Sequence, residues 1–339
     1  MSAAFLSAIA QVWPPFVLVA GLLLIGAVVE ADGLFLALGT RIEKIGGGPI
    51  VLLATLLALE AVVTALLNLD TAVVFLTPII IHAARQRHCD ERPFLYGALF
   101  MANGASLLLP GSNLTNLIVL AHERLSGAEF ARRMLLPWLV VVAITIAFVA
   151  AVFRLRDGDG TPEPLPPLRL GVGAAATAIA TALILGLHNP ALPVLAVGLA
   201  AIALERIRPR IGLPVLTGLF AFAVVLGTLA RHWHGPADLL GHLGAPGAAI
   251  VGAIASLLVN NLPAATLLSA QRPEHPLALL IGLNLGPNLL FTGSLSTYLW
   301  YQTTQRADAH PSLRLAALLG LGLVPLTITA ALIALMPIS

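Results

Sequence analysis

Charge is what this sequence has least of. Only 10% of its 339 residues are Asp, Glu, Lys or Arg, and 58% are apolar. A soluble domain carries about 25% charged residues, so the composition excludes an ordinary water-soluble fold. Cysteine is nearly absent. Cys89 stands alone, which rules out an intramolecular disulfide and any metal centre built on a cysteine cluster. No basic face or aromatic-basic interleaving occurs and the net charge is +2, so a nucleic-acid partner is not expected. There is no Walker A sequence, which removes ATP as the direct energy source. His-Glu-x-x-His and Gly-x-Ser-x-Gly are also missing, and with them the usual metal or nucleophile constellations of an enzyme. Residues 1–15 contain no Lys or Arg and lead into a run long enough to span, so no signal peptide is expected.

What is present is apolar sequence in pieces of roughly 20 residues, the length that crosses a bilayer. Spans are expected at about 16–36, 134–153, 170–187, 190–204, 211–229 and 312–337. Two further spans, about 93–121 and 276–303, are interrupted by Gly, Pro, Asn and Ser. Two more apolar pieces, 49–84 and 245–270, have polar centres without a proper loop: Asn68-Leu69-Asp70-Thr71 and Asn260-Asn261-Leu262-Pro263. Each reads as a re-entrant hairpin that enters the membrane, turns at mid-depth and leaves on the same side.

The order span, hairpin, broken span, span therefore occurs twice. Residues 1–153 form a first repeat, 154–169 a Pro/Gly-rich cytoplasmic linker, and 170–339 a second repeat that begins with two additional spans. With the loop at 37–48 placed in the cytoplasm, 13 Lys and Arg residues fall inside and 5 outside, in keeping with the positive-inside rule. The two repeats then enter the membrane from opposite sides. The expected fold is an all-α polytopic membrane protein of two inverted repeats, each with a re-entrant hairpin and a broken transmembrane helix.

The two interrupted spans are copies of one motif. Asn103 falls on Asn284, Leu108 on Leu289, Leu109 on Leu290, Leu114 on Leu295, Thr115 on Ser296 and Asn116 on Thr297, all at one spacing of 181 residues. Irregular backbone survives at membrane depth only where it is buried in protein or lines a cavity. A duplicated, Gly/Pro-interrupted apolar segment is the strongest sequence pointer to a transporter's binding site. The candidate substrate and ion ligands are Asn68, Asp70, Thr71, Asn103, Ser112, Asn113, Thr115, Asn116, Asn260, Asn261, Asn284, Asn288, Ser294, Ser296 and Thr297. Neutral oxygens and half-helix ends can hold a small ion or a hydroxylated solute without a buried charge. The same residue types also join packed helices.

Asp70 is the sharpest single residue. A carboxylate at mid-bilayer costs about 2.5–3.5 kcal/mol on insertion scales and usually marks an ion or proton site. A capping role on the second hairpin helix is the alternative. Glu60, with Thr64 and Asn68 following on one helix face, could form a proton relay with Asp70, or simply bond a neighbouring helix. Glu30, Asp32, His82, His188 and Cys89 read as interfacial or structural residues.

In combination these segments resemble the arsenite-efflux and anion-permease branch of the ion transporter superfamily, whose members include citrate and dicarboxylate carriers. The resemblance rests on Leu76-Thr77-Pro78-Ile79, Ala105-Ser106 through Ser112-Asn113-Leu114-Thr115-Asn116, Asn260-Asn261-Leu262-Pro263, and Leu285-Gly286-Pro287 through Gly293-Ser294-Leu295-Ser296-Thr297, and it covers nearly the whole chain. It implies inverted repeats, a scaffold, and a moving domain with substrate between the hairpin tips and the breaks. It also admits a homodimer. Three departures mark this chain. Leu69 separates Asn68 from Asp70, where the exporters have Asn-Asp. Asn284 and Asn288 stand where they carry Asp and Lys. The first repeat lacks two N-terminal spans that relatives have.

The expected function is secondary transport of a small inorganic or organic solute by a multi-pass protein of the cytoplasmic (inner) membrane. Proton-coupled arsenite or antimonite efflux leads. A sodium/proton antiporter or a sodium-coupled citrate or dicarboxylate carrier is the alternative, and a passive channel a remote one. No cofactor is expected beyond a coupling H+ or Na+, no resident metal, and no partner beyond substrate and lipid. One consequence is direct. A membrane-impermeant maleimide should label Cys89 in inverted vesicles and spare it in right-side-out ones; the opposite pattern would reverse the layout.

Overall fold

The computed structural model describes residues 3–123, 125–155, 170–209, 212–233 and 235–336. Those residues form sixteen α-helices and no strand. The first seven are α1 (Ala3–Ala31), α2 (Leu34–Glu43), α3 (Pro49–Leu66), α4 (Leu69–Gln86), α5 (Arg92–Ala105), α6 (Leu114–Leu120) and α7 (Gly127–Val152). Two helices follow, α8 (Val172–Gly186) and α9 (Ala191–Glu205). The last seven are α10 (Leu213–Ala230), α11 (Gly235–Gly241), α12 (Ala245–Val259), α13 (Asn261–Leu268), α14 (Pro276–Leu285), α15 (Leu295–Arg306) and α16 (Leu313–Leu335). Both sets of seven run in one order: a long helix, a short one, a tightly joined pair, a pair separated by 3-10 turns, and a long helix. Most of the linker, from residue 156, lies outside the described residues.

Helices α1, α3, α7 and α16 are each long and apolar enough to cross a membrane, and the bent pair α10 and α11 can make a fifth span. With the family assignment given below, this makes the chain an integral, multi-pass membrane protein. The first span sits earlier than its apolar run suggests. It covers Ala3–Ala31 and contains Pro14 and Pro15, where a span over 16–36 was expected. Gly33, at φ 70° with open space around its Cα, takes the left-handed turn that ends α1 and starts α2. The short helices α2 and α11 were not foreseen. Each is too brief to give a clear apolar period of its own.

Helices α3 and α4 form a closed hairpin. Its turn falls at Leu67 and Asn68, so Asp70 lies inside the first turn of α4 rather than at the turn itself. The open ends are fastened by Arg87, just past α4, which donates to the carbonyls of Glu43 (2.8 Å), Ile45 (3.1 Å) and Gly47 (2.7 Å) ahead of α3. The same end of the molecule gathers Arg85 onto the carbonyls of Ala307 and Asp308, and Tyr96 onto Ser312. Elsewhere a second group of ends meets at Gln11. Its amide donates to the carbonyls of Ile118 (3.2 Å) and Ser269 (3.0 Å) while its oxygen accepts from Arg231 at 2.7 Å. Arg272 pairs with Glu123 in the same group of loops.

Small residues set the tightest helix crossings, as they do where apolar solvent gives no drive to associate. A Cβ on Gly21 of α1 would lie 2.8 Å from the backbone nitrogen of Leu195 in α9, and one on Gly198 of α9 would lie 2.7 Å from the Gly21 carbonyl. Gly252 of α12 meets the Leu279 carbonyl of α14 at a similar distance. Gly198→Leu should therefore force α1 and α9 apart at an overpacking cost of about 1–3 kcal/mol, read as a lower unfolding midpoint in detergent. A midpoint equal to the parent's would mean the two helices do not cross there.

Candidate functional site

Four helices of this fold start at a hairpin turn or a break, and a side chain of the chain itself caps each one; Asn68, Asn113 and Ser294 are buried and Asn260 is half-buried. Asn68 accepts from Thr71 N (2.7 Å) at the start of α4, and Asn113 from Thr115 N (3.0 Å) at the start of α6. Asn260 accepts from Leu262 N (3.4 Å) at α13, and Ser294 from Ser296 N (3.3 Å) at α15. An N-terminal turn leaves backbone N–H groups without helical partners, and Asn or Ser satisfies one of them. Asn68 thus takes the capping role that was one reading of Asp70. Asp70 makes no hydrogen bond or ion pair among the described residues and is half-buried.

Between the caps, the two breaks are joined by a buried amide network. Asn103 Nδ2 donates to Asn288 Oδ1 at 2.8 Å, and Asn288 Nδ2 donates to the Phe100 carbonyl at 3.2 Å. Asn284 Oδ1 accepts from Asn113 Nδ2 at 2.5 Å and from Ser106 Oγ at 3.0 Å. Its own Nδ2 donates to Asn116 Oδ1 at 2.8 Å and to the Leu280 carbonyl at 2.9 Å. Asn116 Nδ2 returns to the Ser106 carbonyl at 2.7 Å. Ser112 bonds the carbonyls of Ser106 and Leu109, closing the 3-10 turn Pro110–Ser112. Asn103, Ser106, Ser112, Asn116 and Asn284 are wholly buried. No charged side chain takes part.

Of the sequence candidates, then, Asn103, Ser112, Asn113, Asn116, Asn284 and Asn288 come together directly. Thr115 contributes its backbone N–H to the Asn113 cap. Ser294 and Ser296 lie hydroxyl to hydroxyl at 2.5 Å, and the buried Thr297 hydroxyl has no partner. Asn261 is buried in α13. The tips differ. Asn260, in the left-handed region at φ 75°, donates to the Thr292 carbonyl of the second break at 3.0 Å. Asn68 Nδ2 and Thr71 Oγ1 at the first tip are buried without partners. No hydrogen bond joins Glu60 to Asp70; both Glu60 oxygens are buried and unpartnered. Ser106 was overlooked because the register of the repeat puts Pro287 opposite it, leaving no duplicated polar residue to notice.

Two larger clefts, about 430 and 450 Å³, open beside Glu123 rather than over the network. The second reaches Pro110 and Leu117, the near edge of the first break. His122, in the adjoining loop, is pushed below its ordinary pKa by burial and then by the Arg231 charge, so the loop carries a neutral imidazole near pH 7. Among the described residues no group of three or more His, Cys, Asp and Glu side chains could hold a metal ion.

Comparison with known proteins decides the class. A profile of the CitMHS family, described as citrate transporters, matches residues 2–286. The chain belongs to the CitMHS family. The family is one of transporters. The CitMHS chain is also similar to an arsenical pump membrane protein of Yersinia enterocolitica, 31% identical over 147 residues. That match takes in 42% of this chain and 34% of the relative, so the transporter spans about a third of the length of the curated relative.

Asn284 makes three of the bonds that hold the breaks together, to Ser106, Asn113 and Asn116, and a fourth within its own helix to the Leu280 carbonyl. Asn284→Leu should strand the Ser106, Asn113 and Asn116 groups, and each buried unsatisfied group costs about 1–3 kcal/mol. Thermal unfolding in detergent should show one of the largest losses of any single substitution in the transporter. An unchanged midpoint would show that the network does not form.

Proposed function

We propose that this CitMHS protein is a secondary active transporter of the inner membrane that exports a small, uncharged oxyacid of the arsenous acid type in exchange for protons. The observation that carries the reading is the network itself. Substrate would meet amides, hydroxyls and half-helix starts from both breaks and no fixed cation. A multiply charged carboxylate without a counter-charge would pay a large desolvation cost in such a place. A neutral acid needs only the donors and acceptors that Asn103, Ser112, Asn113, Asn116, Asn284 and Asn288 offer once they release one another. The partial likeness to the arsenical pump points the same way. Thr71, Thr115, Asn260, Asn261, Ser294, Ser296 and Thr297 complete the proposed site, and Asp70, beside the free Asn68 amide, is the proposed coupling carboxylate.

The proposed architecture is a pair of inverted repeats, 1–153 and 170–339, with re-entrant hairpins α3–α4 and α12–α13. Three features support it. The order of seven helices recurs. The loops gather into two groups, one around Arg87 and Ser312, the other around Gln11 and Arg272. The first hairpin's turn, Leu67 to Leu69, is buried, whereas the turn between two full spans would meet water.

Citrate carriage is the second reading, favoured by a family match that covers most of the chain. It requires the anion to arrive with its charge already balanced by a cation. The test is arsenite retention in cells lacking their own exporter, beside citrate uptake in the same cells. Lower arsenite retention with the native chain, lost with Asp70→Asn, is the expected outcome. Unchanged retention together with new citrate uptake, after correct insertion is checked, would replace the arsenite reading by the citrate one.

A further inference from the structure

Threonines in the helices of this protein follow a habit that the buried Thr297 and three residues of the first hairpin break. Thr55, Thr145, Thr228, Thr266 and Thr327 each return the side-chain hydroxyl to the carbonyl four residues back, at 2.7–3.0 Å. Thr64, Thr71 and Thr77, all in the first hairpin, do not; their hydroxyls are buried with no partner. Among them lies Glu60, with none of its surface exposed and neither carboxyl oxygen bonded. Glu60 stands eleven residues into α3, about 17 Å from the helix entrance at 1.5 Å per residue. Glu60 and Thr64, four residues apart, share one face of α3, and Asn68 lies beyond that helix in the turn. Leu53, Leu56, Leu57 and Ala61 around them belong to the main apolar cluster.

An ionised carboxylate held this way, without hydrogen bond or counter-ion, costs several kcal/mol. No cation comes to its aid. On α4, Arg85 is committed to Glu91 and to the carbonyls of Ala307 and Asp308, and His82 is exposed. On α5, Arg92 pairs with Asp90, and the Tyr96 hydroxyl is bound to Ser312. On α7, Arg132 and Arg133 both pair with Glu129. The α2 charges, Arg41 and Glu43, lie at that helix's last turn, and the Pro110–Ser112 turn has none. Asp70 is the other acid of the hairpin and adds charge of the same sign.

We propose that Glu60 is a proton-binding site of the transporter, separate from the amide network, loaded in the closed hairpin and emptied when the hairpin opens to water. In unloading, the carboxyl O–H bond breaks, its electron pair stays on the oxygen, and the proton passes to water. The free hydroxyl of Thr64, one turn along α3 from Glu60, is a group able to bond the carboxyl in either form. The site deepens the proton-exchange reading above, assigning the titrating step to Glu60 in addition to Asp70.

Its test needs no substrate. Infrared difference spectra of the intact protein in liposomes are recorded across a pH step. The native chain should show a carbonyl band of a protonated carboxyl that follows pH. One component of that band should be lost in Glu60→Gln, stay in Asp70→Asn, and keep its midpoint in sodium or choline buffer. Thr64→Val, with Glu60 intact, should move the midpoint of that component. A native chain without a pH-following band would overturn the site, as would a band left unchanged by Glu60→Gln. A midpoint set by sodium would make it a sodium site instead and also overturn it. If the band behaves as expected while no arsenite exchange is seen, the substrate reading fails and the proton site stands.

Discussion

Backbone groups that leave a helix inside a membrane protein must find partners within the protein. This constraint shapes everything else here. Four helices start at a hairpin turn or a break, with Asn68, Asn113, Asn260 and Ser294, and each start is closed by the side chain of its own capping residue. The carbonyls freed at the first break are met by Ser112 and Asn116. The remaining amide capacity is then spent across the break, on Asn284 and Asn288. Two segments far apart in sequence are thereby held as one buried unit. Partners run out at the first hairpin, where Glu60, Thr64, Thr71 and Thr77 hold buried oxygens without a hydrogen bond.

No charged side chain enters that unit. On the proposed reading, its amide pairs would exchange one another for a solute at small net cost, each bond broken being replaced by one of the same kind. A site built on buried ion pairs would leave an uncompensated charge at each such exchange. Apart from the acids Glu60 and Asp70 of the first hairpin, charged side chains do their bonding in the loops and at helix ends. Arg87 fastens the hairpin to the loop before α3, and Arg272 ties Glu123 across the opposite group of loops.

Much of this was legible in the sequence because symmetry and polarity coincide there. Asn103 and Asn284 stand at equivalent places in two apolar segments, and a polar residue repeated in register is hard to explain by packing alone. The hairpins showed themselves as apolar runs with polar centres. Other features left no such trace. Ser106 has Pro287 opposite it in the repeat. Gln11, which draws α1, α6, α10 and the loop after α13 together, is one polar residue in an apolar run. The turn at Leu67 and Asn68 could not be told from one at Asp70, since both neighbours are good helix starters. The short helices α2 and α11 are fixed by what they pack against and carry no period of their own.

The claim that the two breaks act as one unit is open to a single decisive measurement. A double-mutant cycle of Asn103→Ala and Asn288→Ala, read as unfolding free energy in detergent, isolates the bond between them. A coupling of about 0.6–1.7 kcal/mol, the range for hydrogen bonds between membrane helices, is expected. Strict additivity of the two substitutions, with both variants folded, would show that the breaks do not meet.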